Sequence, residues 1–192
     1  MIAIIKYNAG NVESVQNALN RLGVESIITD KVEEIKSAKK VILPGVGEAS
    51  SAMNYLKERG LDEVIKNLTQ PFLGICLGMQ LLCEYSEEGN TACIGVFDTK
   101  VKKFPPQDKV PHMGWNNLGS LSSPLLKGIE SDTNVYYVHS FYAEICENTS
   151  AESNYILPFS AMLEKDNFYA TQFHPEKSAG IGEQILKNFI DL

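Results

Sequence analysis

Over its first 75 residues the chain alternates runs of four or five apolar residues, too short for helices, with longer segments whose apolar positions recur every three or four residues. That alternation predicts an α/β fold, a mostly parallel sheet with helices on both faces. Residues 2–5, 24–29, 41–43 and 72–75 read as strands. Residues 12–22 read as a helix carrying Val12, Val15, Ala18, Leu19 and Leu22 on one face. Further helices are expected at 32–37, at 49–59 where Gly60 ends the segment, and at 61–68. After Ala92 the pattern changes, and the short runs at 101–104, 135–139 and 160–164 predict antiparallel additions. Asp166-Asn167 should turn the chain into a hairpin between 160–164 and 168–173. The Pro- and Lys-rich stretch 102–111 reads as an exposed loop, and Pro111 to Asn116 as a loop too.

At 192 residues and 44% hydrophobic, the chain can bury one good core, so a single domain spanning 1–192 is expected. A net charge of −7 without a basic cluster disfavours nucleic acid and gives no sign of a membrane surface. Cys76, Cys83, Cys93 and Cys146 form neither a metal-type pair nor a dense disulfide pattern, which fits a reduced, cytoplasmic protein. Cys83 is expected on a helix over 77–85, two turns beyond Cys76, as a small core residue. The segment Met1-Ile2-Ala3-Ile4-Ile5 reads as a strand, not a signal peptide, and no apolar stretch reaches membrane length.

The run Gly74-Ile75-Cys76-Leu77-Gly78-Met79-Gln80 places a thiol where a strand turns abruptly into a helix. Glycines on both sides remove side chains that would collide in so tight a turn, as in a nucleophile elbow, and leave the Cys76 sulfur above the sheet. The unpaired N–H of Leu77 at the helix start then favours negative charge nearby. A buried structural cysteine is the alternative, but it does not account for paired glycines at this spacing.

A thiolate nucleophile needs a base, and the chain offers His112, His139 and His174. His174 follows the apolar run 168–171 and precedes Pro175, which keeps it out of the helical region. In an extended chain residues two apart point the same way, so Glu176 is expected to reach the His174 imidazole and orient it. Cys76, His174 and Glu176 thus form a candidate triad of nucleophile, base and orienter. His139 is the rival base. It is expected to lie mid-strand, lacks a carboxylate two residues on, and reads as structural.

The elbow together with His174-Pro175-Glu176 resembles the class I, triad-type glutamine amidotransferases. Pro44-Gly45-Val46-Gly47, Pro111-His112-Met113-Gly114-Trp115-Asn116, the run from Tyr136 to Tyr142 and that from Gln172 to Ser178 narrow the likeness to the glutaminase subunits of imidazole glycerol phosphate synthase. The resemblance implies a flavodoxin-like α/β fold and hydrolysis of L-glutamine through a Cys76 thioester, with no cofactor and no metal. It implies an oxyanion hole made by the backbone of Leu77 and Val46, the glycines beside Val46 allowing its peptide to flip. Gly47, Gln80, Glu88, Ser140 and Phe141 would hold glutamine, Glu88 taking the ammonium group; a solvated turn at 86–88 is the alternative for Glu88. It also implies a heterodimer, in which Asn11, Trp115, Tyr136 and Lys177 face a (β/α)₈-barrel synthase that receives the ammonia, His139 being either structural or part of the ammonia path. With no synthase sequence attached, the acceptor site is expected on another chain.

Two charges depart from the family pattern, which has Asp-Tyr-Gly followed by Gly-Asn-Leu-Arg-Ser-Val. This chain reads Lys6-Tyr7-Asn8-Ala9-Gly10-Asn11-Val12-Glu13-Ser14-Val15, so Lys6 replaces an acid and Glu13 a base. A paralogous glutaminase serving a related barrel synthase, for instance in sugar amidation, therefore stays open as an alternative. So do a free-standing hydrolase and a non-catalytic binding module of the same fold.

Overall fold

The computed structural model describes residues 1–8 and 10–192. Ala9, within the departing segment, lies outside them. The chain runs β1 (Ile2–Ile5), α1 (Val12–Arg21), β2 (Ser26–Thr29), α2 (Val32–Ser37), β3 (Lys40–Leu43), α3 (Ala49–Glu58), α4 (Leu61–Lys66), β4 (Phe72–Ile75) and α5 (Leu77–Leu82). It continues β5 (Cys83–Ser86), β6 (Thr91–Ala92), β7 (Phe97–Lys103), β8 (His112–Asn117), β9 (Asn134–His139), β10 (Phe141–Ala143), β11 (Thr149–Tyr155), β12 (Leu157–Lys165), β13 (Phe168–Thr171) and α6 (Ala179–Asp191).

Seven strands form the main sheet in the order β2-β1-β3-β4-β13-β12-β11. The first five are parallel and the last two antiparallel, as the sequence pattern predicts. Both faces of the parallel part are covered, which is why its strands read as unbroken apolar runs. Ala3, Ile5, Val41, Leu43 and Phe72 pack to one side with α2 to α5. Ile2, Ile4, Ile42, Leu73 and Ile75 pack to the other with Val15 and Leu19 of α1 and Ile185, Leu186 and Phe189 of α6. Each fully buried Ile, Leu or Phe among them contributes about 1.5–3 kcal/mol.

A second sheet, β10-β7-β5-β6, and the ribbon β8-β9 stand beside the first. These are the elements the sequence pattern conceals, and they overturn four expectations. The helix after Cys76 stops at Leu82, not at residue 85, because Cys83 pairs with Phe97 as the first residue of β5. Cys83 is fully buried, but on a strand rather than on the helix face below Cys76. The stretch 102–111 is not all loop, since Lys102 and Lys103 close β7 and Phe104 is 2% exposed in an aromatic cluster. Residues 112–116, read as a loop, are a strand paired residue for residue with β9. The hairpin at Asp166-Asn167 is present, with Asp166 at φ 54°.

The Gly-x-Cys-x-Gly spacing has a direct packing cause. A Cβ on Gly78 would collide with the Leu43 carbonyl oxygen at the end of β3, and one on Gly74 would lie 2.8 Å from the Gly78 carbonyl oxygen. Only two glycines let α5 settle onto β3 and β4, and that contact raises the elbow at the carboxyl ends of the parallel strands, where ligands bind in open α/β sheets.

Candidate active site

Cys76 joins β4 to α5 with φ 54° and ψ −106°. A non-glycine residue held there costs on the order of 1–3 kcal/mol of backbone strain. Its N–H donates to Thr171 O at 2.7 Å and its carbonyl accepts from Gln80 N at 3.2 Å, so neighbouring β13 and α5 itself fix the corner. The sulfur opens into a cavity of about 270 Å³ lined also by Val46, Gly47, Leu77, Gln80, Glu88, Pro111, Val138, His139, Ser140 and Phe141. The structure thus gathers every residue expected to hold glutamine around Cys76. They come from four separate segments.

His174 lies three residues beyond β13 and is fully buried. Its N–H donates to Tyr136 O at 2.9 Å and its carbonyl accepts from Ser178 Oγ at 2.6 Å, which fixes its place between β9 and α6. Nδ1 lies 2.7 Å from Glu176 Oε1. An ionised carboxylate only accepts, so Nδ1 carries the proton and Nε2 is the basic nitrogen. His174 is extended (φ −101°, ψ 97°), as Pro175 requires, but Glu176 is not: residues Pro175–Lys177 form a 3₁₀ turn. The carboxylate reaches the imidazole by that turn rather than by the two-residue period of an extended chain.

Nε2 of His174 is buried and has no hydrogen-bond partner among the described residues. Burial disfavours the imidazolium. The charge on the Cys76 sulfur and then Glu176 more than reverse this, and the His174 pKa is raised to about 10. The sulfur also contacts Val138 O at 3.9 Å and Gln172 Nε2 at 3.7 Å.

Neither of the other histidines is available as a base. His139 Nδ1 lies 2.7 Å from Phe141 O, an obligate acceptor, so Nδ1 holds the proton and Nε2 accepts. His112 Nδ1 fills Nε2 at 2.9 Å. Burial lowers the pKa of His112 to about 4, and burial first, with the neighbouring histidines adding to it, lowers that of His139 to about 3. Both are neutral. His139 ends β9 rather than lying within it, and it lines the cavity as a wall.

The two backbone groups expected to form an oxyanion hole do not point into the cavity together. Leu77 N–H donates to Gly45 O at 3.3 Å. In a planar trans peptide the carbonyl and the following N–H point oppositely, so the Val46 N–H faces away. Tyr7 donates to Pro44 O at 2.6 Å, and its hydroxyl occupies the space a Cβ on Gly45 would need. Burial, with the Cys76 charge adding to it, pushes the Tyr7 pKa up, so the hydroxyl keeps its proton. Gly47 has φ 140°, a conformation open to glycine.

Glu88 is half-buried on the loop after β5, and its Oε2 accepts from Ala49 N, at the start of α3, at 2.8 Å. Burial, then the nearby Glu48 charge, raise its pKa. Gln80 is 4% exposed and donates to Phe141 O at 2.9 Å and to Gln172 Oε1 at 3.0 Å. Among the residues expected to face a partner, Trp115 is 55% exposed and meets half-buried Tyr136 edge to face at 6.0 Å, while Lys177 is exposed. Lys6 and Glu13 are exposed as well. Asn11, half-buried like Tyr136, donates its Nδ2 to Glu176 Oε1, a short contact that gives the carboxylate a second donor. Met113, 62% exposed two residues before Trp115 on β8, belongs to the same face and was missed. Also missed were Asn11 as a partner of Glu176 and Gln172 beneath Cys76; neither contact has a signal in sequence spacing.

Fold and site together fit the expectation of a triad amidohydrolase, and the family model described as Glutamine amidotransferase class-I matches residues 3–192. The chain belongs to the class I glutamine amidotransferases. It is 60% identical over 194 residues to the imidazole glycerol phosphate synthase subunit HisH of Bacteroides thetaiotaomicron, covering 100% of this chain and 99% of that one. The protein of the same description from Pasteurella multocida is 47% identical over 192 residues, covering 99% and 97%. Solved structures agree on the fold. A crystal structure of a glutamine amidotransferase superposes with a TM-score of 0.78 at 18% identity, covering 100% of this chain and 98% of that one. PurLQS of Thermotoga maritima gives 0.74 at 15% identity, covering 99% and 97%. The expected α/β class is thereby borne out.

Proposed function

We propose that this chain is the glutaminase subunit of an imidazole glycerol phosphate synthase, supplying ammonia for histidine biosynthesis from L-glutamine. The observation that carries the reading is the convergence of a strained Cys76 elbow and a buried His174–Glu176 pair on a cavity of about 270 Å³. Identity of 60% over the full chain to a HisH subunit supports this acceptor over that of a paralogue, despite Lys6 and Glu13. Alignment over 99–100% of both chains supports one glutaminase domain over 1–192.

In this reading Nε2 of His174 takes the thiol proton and Cys76 Sγ bonds to the side-chain amide carbon of glutamine. The carbonyl oxygen becomes an oxyanion. Collapse breaks the C–N bond, ammonia leaving with the proton from His174, and a thioester remains. Water then gives its proton to Nε2 and its oxygen to the thioester carbon, which releases glutamate and restores the thiol. Glu176 keeps the ring oriented and stabilises its charge, and Asn11 holds Glu176. Glu88 at the cavity rim is assigned to the substrate ammonium; Gly47, Ser140 and Phe141 offer backbone to the amino-acid end, with Gln80 bracing the wall.

The partner is assigned as a (β/α)₈-barrel synthase subunit docking over Trp115, Tyr136 and Lys177, and the location as cytoplasmic. No helix among the described residues is long and apolar enough to cross a membrane, and the four cysteines are free. The assignment is tested by Cys76→Ser in the complex with the synthase subunit. Glutamine-dependent synthesis should vanish while ammonia-dependent synthesis continues; equal loss with both nitrogen donors would overturn it.

A further inference from the structure

Gln172 is fully buried, lies between β13 and His174, and has had no part in the chemistry so far. Its amide orientation is nonetheless determined. Phe141 O can only accept, so the Gln80 group 2.9 Å from it must be the NH₂. The same NH₂ lies 3.0 Å from the Gln172 side chain, which must therefore present its oxygen. The opposite end of that amide, the Gln172 NH₂, is left facing Cys76 Sγ at 3.7 Å. A flip of either amide would set like groups against one another in a site without exposed polar alternatives.

The sulfur has one other hydrogen-bond contact among the described residues, to Val138 O at 3.9 Å. That contact needs the thiol proton and is lost when the proton leaves. The Gln172 contact needs none, and it strengthens when the sulfur becomes an anion.

Resting on the reading of Cys76 as nucleophile, we propose that Gln172 is a further catalytic residue, the donor that stabilises the Cys76 thiolate and holds it aimed into the cavity, with Gln80 and the Phe141 carbonyl fixing its orientation. A donor beneath the sulfur complements Leu77 and Val46, whose N–H groups are assigned to the substrate oxygen instead. It also explains why the base can leave the sulfur after taking its proton without the thiolate turning aside.

The test is the rate at which iodoacetamide alkylates Cys76 in the purified full chain, followed from pH 5 to 10 by mass spectrometry of the Cys76 peptide. Gln172→Met keeps the length and removes the donor. At neutral pH its Cys76 should react about tenfold more slowly, as one lost charge-assisted hydrogen bond dictates, with a profile displaced to higher pH and the wild-type rate regained in alkali. A folded Gln172→Met with the wild-type profile overturns the proposal. If that variant does not fold, the unmodified protein decides: the Gln172 side-chain NH₂ resonances should move with the same pH midpoint as alkylation, and a flat response overturns it. Failure of the underlying reading looks different. Wild type with its synthase would then hydrolyse no glutamine, whatever the alkylation profile.

Discussion

The Leu77 amide donates to the Gly45 carbonyl oxygen at 3.3 Å, and so one of the two amides assigned to the substrate oxyanion is occupied by the very peptide that carries the other. A turn of that single peptide would free Leu77 and bring the Val46 N–H inward together. Glycines at 45 and 47 flank the unit, and the buried Tyr7 hydroxyl anchors Pro44 just before it.

The first consequence is kinetic. The isolated chain should hydrolyse glutamine slowly and gain about a hundredfold when a liganded synthase favours the inward peptide, which corresponds to roughly 2.7 kcal/mol of coupling. Glutamate release by the chain alone, and with the synthase and its acceptor substrate, measures this. Equal turnover would leave a constitutive enzyme.

Glu176→Gln replaces an acceptor-only carboxylate by an amide that can turn its NH₂ toward Nδ1. The wrong tautomer of His174 then becomes accessible. Turnover should fall by at least about a hundredfold with little change in KM, since Glu176 touches the base and not the cavity. A large rise in KM at unchanged turnover would place Glu176 on the substrate instead.

Acid stability depends on the buried imidazole pair. His112 and His139 stay neutral in the folded chain down to about 4 and about 3, whereas the unfolded chain binds protons near pH 6.5. Their folded pKa values are lowered, so the stability they confer is present above pH 6.5 and is lost as pH falls toward 4. Each imidazole adds a slope of about 1.4 kcal/mol per pH unit at its full strength. Urea titrations between pH 7 and 4.5 should show this, with His112→Phe removing roughly one proton from the slope. An unchanged slope in the variant would mean His112 already titrates normally in the fold.

Gly78→Ala should cost about 3 kcal/mol or more, because its Cβ meets the backbone oxygen of Leu43 and neither partner is a mobile side chain. Gly180→Ala in the first turn of α6 has open space around it and should be neutral or stabilising by up to about 1 kcal/mol. Thermal melting of the two variants separates steric cause from general sensitivity to glycine replacement.

The residues that make the chemistry legible are local in the chain. Gly74, Cys76 and Gly78 sit within five positions, and His174 and Glu176 two apart with Pro175 between them. A tight turn or a proline restricts the backbone by sterics acting over a few bonds, so short-range pattern suffices to reveal it. The parallel half of the sheet is legible for the same reason: strands buried on both faces leave unbroken apolar runs, and α1 leaves a 3.6-residue stripe.

The rest was decided by contacts that no spacing encodes. Leu77 to Ser86 is apolar enough to continue as a helix, yet Cys83 becomes a strand because β7 offers a partner 14 residues on. Residues 112–117 include Gly114, Asn116 and Asn117, all poor strand formers, and only pairing with β9 makes them a strand. Asn11 meets Glu176 across 165 positions and Gln172 meets Cys76 across 96, distances at which sequence carries residue identity but not proximity. The sequence alone determined which groups could act as nucleophile, base and orienter, because those roles follow from side-chain chemistry and local backbone restriction. The tertiary structure decided which donors hold them and that the Gly45 peptide rests against Leu77, because a hydrogen bond between distant segments exists only once packing has brought its two ends within about 3 Å.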